Sequence, residues 1–175
     1  VYEPAGTIDQ CRARVQQFMA QRNEEMPAQK MELILFDDAL RHLVRISRII
    51  QMPRGSAMLV GVGGSGKQSL TRLSAYICNA TCFQISLTKT YNANNLLEDF
   101  KPLYRQAGTA GKGTVFIFTD KEIKDEAFLE YINIFLNTGE VPNLFDDNEL
   151  NSITASMRPI AQAAGCLLYT SDAAD

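Results

Sequence analysis

The chain has 175 residues, 46 % of them hydrophobic and 21 % charged, with a formal net charge of −3. That length suits one domain with a real core, and the slightly acidic balance argues against a nucleic-acid-binding surface. No apolar run approaches the roughly eighteen residues of a membrane span, and residues 1–6 lack the basic and then apolar regions of a secretory leader.

The chain does not begin with Met, so it reads as a piece of something longer. Residues 8–24 have the pattern of a mostly polar helix, which Pro27 interrupts. A stronger helix is expected over 31–51, where Leu33, Phe36, Leu40, Leu43, Val44, Ile46, Ile49 and Ile50 recur at three- and four-residue spacings. Pro53 and Gly55 end it. A first strand follows at 57–62, a helix at 66–78, a strand at 82–87 and a helix at 94–107. After a loop at 108–113 comes a continuous apolar strand at 114–119, of the kind buried on both faces of a parallel sheet, and then a helix at 124–137. Strands alternating with helices predict an α/β, doubly wound parallel sheet sandwiched by helices. Cys11, Cys78, Cys82 and Cys166 lack metal-ligand spacing and read as reduced packing residues. His42 is the single histidine, which argues against a His-based metal site or catalytic triad.

The run Gly61-Val-Gly-Gly-Ser-Gly-Lys-Gln-Ser69 joins the first strand to the next helix. Glycines there let backbone N–H groups turn onto phosphate oxygens, and the helix N-terminus adds partial positive charge. Gly61, Gly63, Gly64, Ser65, Gly66, Lys67, Gln68 and Ser69 are therefore the candidate ATP/ADP-binding residues, with Lys67 reaching the β- and γ-phosphates. The general pattern wants a hydroxyl directly after the lysine to ligate Mg²⁺; Gln68 stands there and Ser69 comes one place late.

Asp120 closes the apolar strand, which is the Walker B arrangement for holding Mg²⁺ or its water. Ser69 and Asp120 are thus the candidate Mg²⁺ ligands. Where hydrolytic members of this broad class place a Glu after the Asp, this chain has Lys121, with Glu122 one place later as the candidate base. Asp125 and Glu126 are alternatives, although acidic residues at a helix start are favourable without any catalytic role. Both displacements favour a site that binds nucleotide and hydrolyses it slowly or not at all.

Several blocks carry a family resemblance: Met31-Glu-Leu-Ile-Leu-Phe-Asp-Asp-Ala-Leu-Arg-His-Leu-Val-Arg-Ile-Ser-Arg-Ile-Ile50, the phosphate loop with its flanks at 53–70, Phe116-Ile-Phe-Thr-Asp-Lys-Glu-Ile-Lys-Asp-Glu126 and Leu136-Asn-Thr-Gly-Glu-Val-Pro-Asn-Leu-Phe145. Together they resemble the dynein heavy chains, and within them the fourth AAA+ module of the axonemal type, over residues 2–165. The Gly-Lys-Gln-Ser form looks like the usual one in that module.

The resemblance implies a P-loop NTPase core of AAA+ type, incomplete here because the later strands and the helical lid domain are missing. It also implies a regulatory ATP-binding module of a minus-end-directed microtubule motor that drives ciliary or flagellar movement. The implied partners are the neighbouring AAA+ modules of the same polypeptide, the intermediate, light intermediate and light chains, and microtubules, with no nucleic acid and no membrane. The implied location is the cytoplasm, cytoskeleton and ciliary axoneme. His42 and Arg45 would lie on a helix near the adenine, although the surface of an amphipathic helix is the simpler account of both.

Domain boundaries follow as 1–52, a helical lead-in from the preceding module; 53–165, a partial nucleotide-binding core; and 166–175, a non-native tail similar to translated cloning-adapter sequence. Such a fragment is expected to be poorly soluble or to bind nucleotide weakly by itself. Two other readings stay open. One is a structural ring segment with a vestigial phosphate loop. The other is an unrelated P-loop kinase, which the segment Lys89-Thr-Tyr-Asn-Ala-Asn-Asn after the second strand disfavours, since it offers no substrate-binding acid.

Overall fold

The computed structural model describes residues 6–165. They belong to two compact units, the first running to Gln84 and including Gly113–Phe118, the second comprising Ile85–Lys112 and the chain from Thr119 onward. The proposed tail at 166–175 lies outside the described residues.

The first unit is built on helices α1 (Ile8–Glu25), α2 (Asp37–Ile50) and α3 (Lys67–Ile77), with a single 3₁₀ turn at Pro27–Gln29. A capping box opens α1: the Thr7 hydroxyl accepts from Gln10 N–H, and the Gln10 side chain accepts from Thr7 N–H at 2.9 Å. The core joins Val15 of α1, Leu40, Leu43 and Ile46 of α2, and Leu70 and Leu73 of α3. Within it the buried Ser74 hydroxyl donates to the Leu43 carbonyl at 3.3 Å, so burying that hydroxyl leaves no donor unmade.

Helix α2 begins six residues later than its apolar spacing predicts. Residues 31–36 are neither helix nor strand, and their burial alternates: Leu33 and Leu35 turn inward, while Ile34 (87 % exposed) and Phe36 (61 %) turn out. A two-residue period is that of extended chain, which the three- and four-residue spacings masked. Side chains hold the segment extended. Asn23 bonds both the N–H and the C=O of Met31 at 2.9 Å, and Arg12 Nε donates to the Leu35 carbonyl at 3.0 Å. The helix then starts at Asp37 and Asp38, where negative charge meets the positive end of the helix dipole.

The sheet is two parallel strands, β1 (Thr81–Phe83) and β2 (Thr114–Phe116), in register Thr81 to Thr114 and Phe83 to Phe116. Both are shorter than expected, since a ladder extends only as far as both strands stay paired; a last bond, Ile117 N–H to the Phe83 carbonyl, closes it at 2.8 Å. The strand expected at 57–62 does not form. Met58, Val60 and Val62 are 91, 84 and 79 % exposed, and no strand among the described residues pairs with them. A strand is stabilised by lateral hydrogen bonds and by layers on its faces, and this segment has neither.

The second unit packs α4 (Ala93–Gly108), α5 (Glu126–Thr138) and α6 (Asp147–Ala163). Phe100 stacks on Phe135 with ring centroids 6.2 Å apart, and Tyr104 meets Phe135 and Phe145 edge-on. The Tyr104 hydroxyl donates to the Gly139 carbonyl at 2.9 Å, satisfying the polar end of a half-buried ring.

Candidate functional site

In the first unit, the phosphate loop turns on two glycines in the left-handed region, Gly64 at φ 76° and Gly66 at φ 78°. A side chain at either would strain the backbone, which is why only glycine suits them. Gly66 is the N-cap of α3 and supplies no side-chain acceptor. The first-turn N–H groups of α3 thus face outward without a cap, which is the arrangement that receives an anion. The Lys67 ammonium folds back over the loop and donates to the Gly61 carbonyl at 2.7 Å, the Val62 carbonyl at 2.7 Å and the Ser65 hydroxyl at 3.1 Å. A Cβ on Gly61 would stand 3.6 Å from both Lys67 Nζ and Ser65 Oγ, within the space the loop encloses, whereas one on Gly63 would meet nothing within 4 Å.

Gln68 and Ser69 sit in the first turn of α3, half-buried, with side chains that bond no group among the described residues. These residues fit a nucleotide's phosphates: backbone donors are uncapped, the lysine is at the loop, and a hydroxyl and an amide are uncommitted. The hydroxyl and amide oxygens are also of the kind that suits Mg²⁺, which commonly takes one or two protein ligands and completes its shell with phosphate and water. His42 and Arg45 are exposed on α2.

Asp120 belongs to the second unit and the phosphate loop to the first. It starts a 3₁₀ turn, Asp120–Glu122, with its carboxylate exposed and meeting no hydrogen-bond or ion-pair partner among the described residues. Glu122 is different. It is 6 % exposed, and one oxygen accepts both the Thr119 N–H at 2.6 Å and the Thr119 hydroxyl at 2.5 Å. That is a capping box, and Thr119-x-x-Glu122 carries its signature in the sequence. Asp125 caps α5 by accepting from Ala127 N–H at 3.0 Å, and Glu126 lies in the first turn of that helix.

Two further features of this unit had no clear sequence signal. Lys124 donates to the carbonyls of Thr88 at 3.1 Å and Lys89 at 2.5 Å, some 35 residues away in sequence. Tyr91 donates to Asp99 at 2.5 Å and packs edge-on against Phe128, and burial followed by the Asp99 carboxylate pushes its phenol well above the usual range. Cys11 and Cys78 are half-buried free thiols; burial pushes the Cys78 thiol up, which makes it less reactive.

A parallel βαβ passage, a glycine-rich loop opening a helix and an apolar strand running to an aspartate together define a P-loop protein of the AAA+ α/β class. The sequence profile described as P-loop containing dynein motor region D4 matches residues 31–173, and the chain belongs to that family. It is 53 % identical to mouse dynein axonemal heavy chain 5 over 160 residues, 91 % of this chain and 4 % of that protein. It is 54 % identical to the dynein-1-beta heavy chain of the flagellar inner arm I1 complex of Chlamydomonas reinhardtii over 135 residues, 77 % of this chain and 3 % of that one. The gamma chain of the flagellar outer arm dynein from the same organism is 49 % identical over 168 residues, 95 % of this chain and 4 % of the relative. The chain thus spans only a few per cent of the length of these relatives.

Proposed function

We propose that this chain is an ATP-binding, regulatory AAA+ module, the fourth in the ring, of an axonemal dynein heavy chain, and that its nucleotide turns over slowly or not at all. The observation that supports binding most is the phosphate loop itself: left-handed Gly64 and Gly66, an uncapped α3 N-terminus and the Lys67 ammonium directed onto the loop. Gly61, Gly63, Gly64, Ser65, Gly66, Lys67, Gln68 and Ser69 hold the phosphates of ATP or ADP in this reading. Ser69 and Asp120 serve the Mg²⁺, which screens the phosphate charge when bound.

Slow turnover is supported by Glu122, whose carboxylate is committed to Thr119, and by Lys121, a cation where a water-polarising acid would stand. The boundaries that accompany this reading are a helical lead-in at 1–52, a partial core at 53–165 and a non-native tail at 166–175. In the parent polypeptide the module sits beside other AAA+ modules, in a minus-end-directed microtubule motor with its intermediate, light intermediate and light chains, in the axoneme of a cilium or flagellum.

The test is to incubate the module, completed with its native downstream lid in place of residues 166–175, with labelled ATP, remove free nucleotide and identify what is retained, with Lys67→Ala as control. Retained ATP, absent in the control, is the expected result. Retained ADP would make the module a slow ATPase. No retention would overturn the binding reading in favour of a structural segment with a vestigial loop.

A further inference from the structure

In parallel α/β folds, ligand chemistry gathers at the carboxyl ends of the strands, so the loops leaving those ends are where occupancy is first felt. Two such loops belong to the second unit: residues 85–92, which follow β1, and residues 119–125, which follow β2 and carry Asp120.

Each loop is well anchored at one end. In the first, Tyr91 N–H bonds the Thr88 carbonyl at 3.2 Å, the Tyr91 hydroxyl bonds Asp99, its ring packs on Phe128, and Asn92 caps α4 by accepting from Asn94 and Asn95 N–H. In the second, the Thr119–Glu122 capping box and the Ile123 N–H to Asp120 carbonyl bond, at 3.3 Å, hold the turn. Between the two turns runs one cationic bridge, the Lys124 ammonium donating to the consecutive carbonyls of Thr88 and Lys89. A charged donor shared by two carbonyls is stronger than a neutral bond and fixes both peptide groups at once. The stem of Lys124 starts two residues beyond Glu122, so a displacement of the Asp120 turn pulls directly on the 88–89 peptides.

We propose that Lys124 is a positioning residue that latches the Asp120–Glu122 turn to the loop after β1, so that metal–nucleotide occupancy felt at Asp120 is passed to the 88–92 loop and the start of α4. This rests on the proposed nucleotide reading of the same site. Lys124 touches neither phosphate nor metal in it; it acts through the backbone that carries Asp120. The bridge is solvent-exposed, so its loss leaves the fold intact and alters the coupling.

The experiment is amide hydrogen exchange on the full 175-residue chain and on Lys124→Met and Lys124→Arg, each without nucleotide, with ATP in EDTA and with MgATP. In the wild type, MgATP should slow exchange at both 88–92 and 119–124, more than ATP in EDTA does. In Lys124→Met the slowing at 119–124 should persist while that at 88–92 falls by about two- to five-fold, the range expected for one exposed charged bridge. Lys124→Arg, which keeps the charged donors, should restore it. A role confined to holding the fold would instead raise exchange equally with and without nucleotide.

Equal MgATP protection of 88–92 in the wild type and Lys124→Met overturns the latch while leaving nucleotide binding intact. No nucleotide-dependent protection in the wild type, matching Lys67→Ala, overturns the binding reading and the latch with it.

Discussion

Single side chains in the phosphate loop divide into those the backbone demands and those chemistry demands. Gly66 is demanded by the backbone: at φ 78° it caps α3, and a Cβ there costs about 1–2 kcal/mol in left-handed strain. Gly66→Ala should therefore lower the unfolding free energy by that amount, with a correspondingly lower midpoint, and abolish ATP retention. Gly63 has ordinary φ and open space around it, so Gly63→Ala should leave stability within about 0.5 kcal/mol, as for surface changes generally. Thermal unfolding of the pair separates strain from mere loss of glycine.

Glu122 is demanded by local hydrogen bonding. Glu122→Ala strips Thr119 of the acceptor for both its N–H and its hydroxyl, at a cost of about 0.5–1.5 kcal/mol for each hydrogen bond at this partly buried residue. Glu122→Gln retains an acceptor oxygen, so stability should be largely kept and any residual ADP formation unchanged. Loss of that ADP formation in Glu122→Gln alone would show that the carboxylate is the base after all.

At the scale of elements, α6 is tied to α4 by charge. Glu149 bridges Lys101 at 3.1 Å and Arg105 at 2.9 Å, and Arg105 also lies over the Phe145 ring, 5.6 Å from its centroid. The Lys101 hydrogen bond, then the Asp146 backbone N–H, hold the Glu149 carboxyl below its ordinary value of 4.5. A carboxyl whose pKa is depressed in the folded state adds stability that is complete above the unfolded value and fades as pH falls through the folded one. The protection of α6 amides, taken relative to their intrinsic exchange rates at each pH, should accordingly stay constant from neutral pH to about 4.5 and fall only below it. Glu149→Gln should remove that acid dependence. An unchanged acid profile in the variant would show that this network does not dock α6.

The same scale shows what the sequence made legible. Helices α1, α3, α4 and α5 lie within two residues of their expected bounds: the last three have an apolar period, and the mostly polar α1 is bounded by its Thr7 cap and by Pro27. The start of α2 was hidden because residues 31–36 satisfy helical and strand periods at once, and the arbiter is Asn23, eight residues upstream. The phosphate loop was legible because its glycines are required by local backbone geometry. Lys124 was not, since its carbonyl partners are brought to it by tertiary structure, which no local pattern encodes.

For the molecule as a whole, the exposed apolar run at 57–62 sets the behaviour in solution. Met58 and Val60 project 91 and 84 % of their surface into water, and the run has no charge, no proline and no paired strand among the described residues. Short uncharged segments with unpaired backbone donors and acceptors pair with other chains. The chain should therefore self-associate with rising concentration, as light scattering would record. Because those two side chains bury almost nothing, Met58→Lys and Val60→Lys should suppress association while leaving the unfolding midpoint nearly unchanged, each lysine placing a charge where a second strand would dock. Scattering that stays the same in the double variant would locate association elsewhere. A fallen midpoint would mean instead that the run is packed in solution, against a layer that the described residues do not include.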